Sequence, residues 1–230
     1  MLRKLLFGLA ALPLLAATAA AAPPSFVPSR FVDRVDNPWF PLTPGTVLVY
    51  RGVKDGQPSR DVVTVTGRKR TIAGVRATVV DDRLYLRGRL AERTTDWYAQ
   101  DRQGNVWYLG EDTVELDRKG RVTSREGTWL TGRDGAVPGI YMPAHPALGA
   151  TGRQEYYRGH AEDHFRVLGL NATVKTPFTT SRHALLTQEW TPLEPGAIDH
   201  KLYVRGIGTV REETVKGGNE LAILVSVRRH

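Results

Sequence analysis

The sequence predicts an all-β protein, built as an antiparallel barrel, half-barrel or sandwich. Many short segments alternate apolar and polar residues with the period of two that is typical of half-buried strands. In residues 71–80, for example, Val75, Ala77 and Val79 share one face, and Arg76 and Thr78 share the other. Turn residues separate these segments at short intervals, and no amphipathic pattern of helical period extends over ten residues. Many short strands at close spacing favour a barrel or a sandwich.

The strand-like segments fall into two groups. The first covers residues 46–50, 61–66, 71–80, 84–86, 94–100 and 105–109, and Asp101-Arg102-Gln103-Gly104 is a hairpin turn between the last two. The second covers residues 153–157, 164–168, 172–176, 183–190, 201–204, 209–215 and 221–227. Residues 125–151 between the groups are rich in glycine and proline, which predicts a long linking loop.

Residues 1–22 are predicted to be a signal peptide. Arg3 and Lys4 precede an apolar run over residues 5–17, and small residues with Ala-x-Ala cleavage registers follow over residues 16–22. The alternative is a membrane anchor, for which the run is nearly long enough. Because the run ends in alanines and then Pro23-Pro24, we expect cleavage between Ala19 and Pro23. No paired arginine precedes the apolar run, so export by the general secretory route to the periplasm or the medium is expected, with no stable membrane span after cleavage.

The mature chain is predicted to hold one domain. Residues 23–44 form an extended, proline-rich lead-in, because prolines interrupt helices and central strands. Residues 45–230 form a single β domain that contains two related halves, 45–124 and 152–227. Four short phrases recur in the same order: Val49-Tyr50-Arg51-Gly52 with Tyr156-Tyr157-Arg158-Gly159, Thr64-Val65-Thr66-Gly67 with Arg166-Val167-Leu168-Gly169, Trp97-Tyr98 with Leu202-Tyr203, and Gly104-Asn105-Val106 with Gly208-Thr209-Val210.

Composition excludes several classes of function. The chain has no cysteine, which excludes disulfides, thiolate metal sites and a cysteine nucleophile. Its net charge is +8, and removing Arg3 and Lys4 leaves 30 basic against 24 acidic residues, or +6. The basic residues are dispersed apart from short runs such as residues 68–70 and 228–229, so with export they indicate solvated loops and no nucleic-acid partner. We expect a monomer.

Several phrases resemble a family of uncharacterised, exported, β-rich bacterial proteins, and the resemblance covers nearly the whole mature chain. It implies export and a β fold, and it implies no activity. His160 and His164 depart from the family pattern, which argues against a family-wide catalytic role for them. The phrases are Asp36-Asn37-Pro38-Trp39-Phe40-Pro41-Leu42 with Pro44-Gly45-Thr46, Asp96-Trp97-Tyr98-Ala99-Gln100-Asp101 with Gly104-Asn105-Val106-Trp107-Tyr108, Gln154-Glu155-Tyr156-Tyr157, Ala161-Glu162-Asp163, and Glu189-Trp190-Thr191-Pro192-Leu193-Glu194-Pro195-Gly196.

Four carboxylates are the candidate catalytic residues: Glu155, Glu162, Asp163 and Glu189. A pair of carboxylates at the right separation cleaves glycosides, and several together bind calcium through oxygen. The structural alternative is ion pairing with the abundant arginines.

Aromatic residues supply the candidate ligand-binding set: Trp97, Trp107, Tyr108, Tyr156 and Tyr157. Adjacent residues of a strand face opposite ways, so each pair places one ring inside and one outside. The inner rings either pack in the core or line a cavity. The outer rings are placed to stack on sugars or apolar ligands.

One candidate metal site consists of His160, Glu162 and His164, which would share one face if this segment is a strand. The alternative is a solvated polar turn after Gly159. A single strand rarely wraps three ligands around one ion, so we expect no bound metal and no cofactor.

Two functions of different classes follow. The first is an exported binding module for an apolar or glycan ligand. Its possible partners are small molecules, lipids and glycans. The second is an extracytoplasmic hydrolase or lyase that uses the carboxylate cluster. A carboxyl with a strongly raised pKa in a cleft would favour the enzyme, and a dry aromatic cavity without paired acids would favour the binder.

Overall fold

The computed structural model describes residues 25–229. The predicted signal peptide therefore lies outside the described residues. A turn of 3-10 helix (Pro28–Arg30) precedes the strands. These are β1 (Phe31–Val32), β2 (Thr46–Lys54), β3 (Gln57–Ile72), β4 (Val75–Leu86), β5 (Arg89–Asp101), β6 (Val106–Leu116), β7 (Val122–Ser124), β8 (Trp129–Leu130), β9 (Val137–Met142), β10 (Thr151–Arg153), β11 (Glu155–Tyr156), β12 (His164–Lys175), β13 (Thr180–Trp190), β14 (Ile198–Val204), β15 (Gly208–Lys216) and β16 (Leu221–Arg229).

The strands form one antiparallel, nearly closed barrel, which confirms the all-β prediction. The order around the barrel is β10-β12-β13-β14-β15-β16-β2-β3-β4-β5-β6-β9-β11. One short segment joins the two ends of this order. β10 pairs with β12, β11 pairs with β9, and only Gln154 separates β10 from β11. Closure of this kind removes the exposed strand edges through which β proteins aggregate.

The segment predicted as a linking loop, residues 125–151, contains two strands. β8 and β9 both pair with β6, and β9 is part of the barrel wall. The glycines of this segment predicted a loop, but at Gly139 the glycine allows two strands to pack closely. A Cβ at this position would lie 2.2 Å from the carbonyl oxygen of Arg153, so the closing segment approaches β9 more closely than a side chain allows.

We expect Gly139→Ala to destabilise the protein by about 2–3 kcal/mol, since backbone atoms must move to admit the methyl group. Gly67→Ala in β3 is the matched control, because nothing lies within 4 Å of its added Cβ. Urea unfolding monitored by tryptophan fluorescence measures both. Equal stability of the two variants would show that the barrel does not close at β9.

One end of the barrel is plugged by the lead-in. Residues 35–42, the plug, bury Val35, Trp39 and Leu42 against Val106 and Met142. Hydrogen bonds fix the plug to three turns at this end. Asn37 Nδ2 donates to the carbonyl oxygens of Gly104 (2.9 Å) and Pro143 (3.1 Å), and the Gly206 N–H donates to the carbonyl of Pro38 (2.7 Å). Pro38 and Pro41 thus lie in a compact cap instead of an extended arm.

The opposite end of the barrel is more accessible. Lys54 and Glu220 lie at this end, and 38% and 43% of their side-chain surfaces are exposed. We call it the open end.

The proposed internal duplication stays a prediction. Tyr50 lies in the middle of β2, and Tyr157 follows β11 and forms an isolated bridge with Ala161. Within residues 25–229, no helix is long and apolar enough to cross a bilayer.

Candidate functional site

The inward-facing positions of the barrel change from apolar to acidic along the strands. On β3, Val65 and Val63 give way to Asp61 towards the open end. The same change occurs on the neighbouring strands, from Val80 to Asp82 on β4, from Tyr98 to Asp96 and Glu92 on β5, and from Val210 to Glu212 on β15. Because side chains alternate along a strand, this pattern places carboxyls at similar heights inside the barrel.

The acidic half encloses a cavity of about 280 Å³. One lysine, Lys201, and three tyrosines, Tyr98, Tyr108 and Tyr141, contribute to its wall. Seven carboxyl residues line it: Asp82, Glu92, Asp96, Glu111, Glu155, Asp163 and Glu212. Two adjoining cavities share Asp82 and Glu212 with it, one towards the plug and one towards the open end. Asp61 lines both of these adjoining cavities.

A phenol links two acids across β5 and β6. Asp96 and Glu111 are directly opposite each other in the strand pair. The Tyr108 hydroxyl lies 2.5 Å from Asp96 Oδ1 and 3.1 Å from Glu111 Oε2. A phenol has one proton and donates to one acceptor at a time, so the second contact is a hydrogen bond only when that carboxyl is protonated. Directly opposed like charges would also destabilise the pair.

The environment keeps this pair protonated. Burial is the main cause that raises the pKa of Asp96 to about 7, and the hydrogen bond from Tyr108 opposes the rise. Burial, followed by the charge of Asp96, raises the pKa of Glu111 well above its usual range. At neutral pH the pair therefore shares protons and can both donate and accept one.

A second acidic pair lies where the barrel closes. Burial, followed by the charge of Asp163, raises the pKa of Glu155 to about 8. Gln154 and Glu155 are 4% and 5% exposed. Within the described part of the chain, Gln154 Nε2, Glu155 Oε2 and Trp129 Nε1 have no hydrogen-bond partner of ordinary geometry. The Trp129 side chain nevertheless lies close enough to Glu155 to oppose the rise of its pKa. Gln154 and Glu155 both line the cavity, so two buried polar side chains form part of its wall.

Lys201 is held by acids on the neighbouring strands. Its Nζ lies 2.9 Å from Glu189 Oε2 on β13 and 3.5 Å from Glu212 Oε1 on β15. Glu189 Oε1 also accepts hydrogen bonds from Thr187 (2.9 Å) and Tyr203 (3.0 Å). Because the Lys201 charge is balanced by Glu189 and Glu212, it leaves the other acids of the cavity uncompensated.

The structure places three of the four candidate catalytic carboxylates around this interior. Glu155 and Asp163 line the cavity, and Glu189 anchors Lys201 in its wall. Glu162 is separate, because its carboxylate accepts a hydrogen bond from the N–H of Gly159 in a surface turn (2.7 Å).

The candidate ligand-binding aromatics are divided between the two faces of the barrel. Tyr108 lines the cavity. Trp97 and Trp107 pack in a cluster on the opposite, outer face, where Arg70 covers Trp97 at 4.0 Å and Phe26 packs on Trp107 at 5.7 Å between ring centroids. This position gives them no contact with the interior, and their ligand-binding role stays a prediction.

Tyr156 and Tyr157 contact polar neighbours. The Arg153 guanidinium lies 4.3 Å from the Tyr156 ring centroid, and Tyr157 stacks on His160 at 4.5 Å. Tyr157 also borders an outer groove with Trp129 and Glu111, next to the barrel wall.

The two candidate metal-binding histidines form separate contacts. His160 Nδ1 lies 3.1 Å from Glu126 Oε1, and His164 Nδ1 lies 2.7 Å from the carbonyl oxygen of Glu162. Across residues 25–229, no three His, Asp or Glu side chains are grouped so that they could hold a metal ion.

Sequence reasoning missed most of the cavity acids, including Asp61, Asp82, Asp96, Glu111 and Glu212. For all of these except Glu111 a signal was present, because each stands on the same strand face as apolar core residues, as Val63 and Val65 show for Asp61. Glu111 faces the interior only because the register of β6 shifts between Tyr108 and Gly110. An acidic residue on the same face of a strand as buried apolar residues indicates that the acid lies inside the barrel. This pattern recurs on β3, β4, β5 and β15.

The fold and site define a barrel protein with an acidic interior cavity. No protein-family model matches the sequence, and no curated protein matches it. A solved structure that is similar is a "putative lipoprotein" from Parabacteroides distasonis ATCC 8503, with a TM-score of 0.42 and 13% identity, covering 83% of this chain and 98% of that chain. A similarity this distant supports no statement about function.

Proposed function

We propose that the protein is an exported binding module that takes a small polar ligand into the barrel cavity. The observation that carries the proposal is the cavity itself, whose wall contains the buried polar side chains of Gln154 and Glu155, and in which Gln154 Nε2 has no hydrogen-bond partner among the described residues. Leaving a buried donor or acceptor unsatisfied costs about 1–3 kcal/mol each, and a ligand with complementary groups recovers this free energy. Of the two ligand classes expected from the sequence, this wall suits a glycan better than an apolar molecule.

The open end is the route by which a ligand reaches the cavity. The adjoining cavity at this end contains Lys54 and Glu220. Lys54 Nζ lies 4.0 Å from Glu92 Oε2 and 3.9 Å from Glu220 Oε2, at distances where the attraction between exposed charges is weak. These side chains can separate at little cost, whereas the plugged end is closed by apolar packing.

We expect polar, hydroxyl-rich ligands to raise the melting temperature and fatty acids to leave it unchanged. Screening neutral oligosaccharides and fatty acids by thermal shift measures this, because a ligand at 100 times its Kd stabilises by about 2.7 kcal/mol. Glu155→Gln should produce a smaller shift, which corresponds to an apparent affinity at least tenfold weaker. Glu213→Gln is the control, since Glu213 follows cavity-lining Glu212 on β15, faces outward and pairs with Arg211 (2.7 Å). A fatty acid that gives the largest shift would contradict the proposal.

The raised carboxyl pKa values favour a second candidate, a hydrolase or lyase. Asp96, with a pKa of about 7, and Glu155, with a pKa of about 8, hold protons near neutral pH, as a general acid requires. The test is turnover of chromogenic glycosides and uronides. Activity that is lost in both Asp96→Asn and Glu155→Gln, with ligand binding retained, would move the enzyme to first place.

A further inference from the structure

The acids of the cavity have little positive charge to balance them. Lys201 is paired with Glu189 and Glu212, and Lys54 with Glu92 and Glu220. Within residues 25–229, no Lys, Arg or His nitrogen lies within 4.0 Å of the remaining interior carboxyls, which are Asp61, Asp82, Asp96, Glu111, Glu155 and Asp163. When these carboxyls ionise, the cavity is therefore a region of negative potential that a positively charged occupant would complement, and the binding of such an occupant releases the protons that the carboxyls hold.

The negative groups are spread along the barrel. Asp61 on β3 and Glu92 on β5 both pair with Leu84 of β4, so the uncompensated Asp61 lies at the level of Glu92. Glu92 is four residues from Asp96 on β5, which corresponds to roughly 13 Å along an extended strand. Glu111 lies across from Asp96, and Glu155 and Asp163 lie on the closing segment and beyond it. An occupant with charges at two positions along a chain would meet acids at both levels.

The wall between these acids suits an aliphatic chain with ammonium ends. Tyr98 and Tyr108 stack at 4.7 Å between centroids, and Tyr141 meets Tyr98 edge-on at 5.1 Å. Aromatic faces attract cations and pack on methylene groups. The side chain of Glu155, which is 5% exposed, lines the same space.

We propose that the cavity binds a linear diamine or polyamine, whose ammonium groups pair with the carboxyls at the level of Asp96 and Glu155 and with those nearer the open end. This inference rests on the proposed binding function and names its ligand class. Each terminal ammonium donates three hydrogen bonds and accepts none, which matches a wall rich in acceptors.

Isothermal titration of the purified protein with 1,6-diaminohexane, hexylamine and 1,6-hexanediol tests the inference. These probes share a six-carbon chain and differ in the number of charges. We expect the diamine to bind at least tenfold more tightly than the monoamine, and the diol to give no measurable heat. The double variant Asp96→Asn, Glu155→Gln should lose at least tenfold in affinity for the diamine, and Glu213→Gln should bind like the parent.

The outcomes separate this inference from the proposed function. Equal affinity for diol and diamine, or diamine binding that the double variant retains, would overturn the amine inference. Binding of a neutral oligosaccharide that Glu155→Gln abolishes would overturn it too, while leaving the binding module in place. If no probe, sugar or amine binds to the folded parent, both proposals fail. Because both substitutions replace a carboxyl by an amide of the same shape and remove no packing, loss of folding is not expected.

Discussion

Above pH 8, Asp96→Asn is expected to be more stable than the parent protein, by on the order of 4 kcal/mol. Asp96 is 8% exposed, and burial raises its pKa from 3.8 to about 7. Ionising it in the folded state is therefore costly, and an amide removes this cost. The amide oxygen can still accept the hydrogen bond from Tyr108, so the substitution leaves the local geometry in place.

The dependence on pH has a definite sign. When a carboxyl has a higher pKa in the folded state, the folded protein binds more protons than the unfolded chain between the two pKa values. Stability then falls as pH rises from about 4 to about 8, and Glu155 acts in the same direction as Asp96. Below about pH 4 both states are protonated, so the advantage of the variant disappears. Groups with lowered pKa values, such as Asp36 beside Arg34, lose their contribution in that acidic range.

Guanidinium unfolding of parent and variant between pH 4 and pH 9 measures this prediction. The parent should be most stable in mildly acidic buffer, and the two curves should diverge as pH rises. Asp112→Asn is the control, because Asp112 is exposed on β6 beside Arg125 and should not gain stability at high pH. If the unfolding free energies of Asp96→Asn and the parent change in parallel with pH, ionising Asp96 in the folded protein has no free-energy cost.

Trp39→Ala is expected to destabilise the protein by about 3–5 kcal/mol, which is the usual cost of truncating a buried aromatic side chain. Trp39 is 4% exposed and is packed between the barrel end and the Arg205 guanidinium, which lies 4.3 Å from its ring centroid. Removing it leaves a cavity under the plug. We expect the plug to detach before the strands separate, because its remaining anchors are the smaller side chains of Val35 and Leu42 and a few hydrogen bonds.

Thermal unfolding and hydrogen exchange of the Asn37 amide measure the effect. Phe178→Ala is the control, since Phe178 lies in the β12–β13 turn and is 40% exposed. The control should change stability by less than about 1 kcal/mol, as surface substitutions usually do. If Trp39→Ala is as mild as the control, the plug is not part of the cooperative fold.

The strand content and the hairpin turns could be predicted from the sequence because they depend on local patterns. The alternation in residues 71–80 became β4 and its flanking turn, and Asp101-Arg102-Gln103-Gly104 became the β5–β6 turn. The lead-in was harder to interpret. Its prolines indicated an extended segment, but its role as a plug depends on contacts with Gly104, Pro143 and Gly206, which are distant in the sequence.

By itself the sequence determined that this chain is all-β, that it lacks thiol chemistry, and that its N-terminus has the pattern of an export signal. These properties depend on residue type and on spacing within one segment. Only the tertiary structure decided that Asp61, Asp82, Asp96, Glu111, Glu155 and Glu212 surround one interior, and that Trp97 and Trp107 face away from it. The physical reason is that these acids come from different strands and meet only once the barrel has closed. Their raised pKa values follow from the burial that this closure creates.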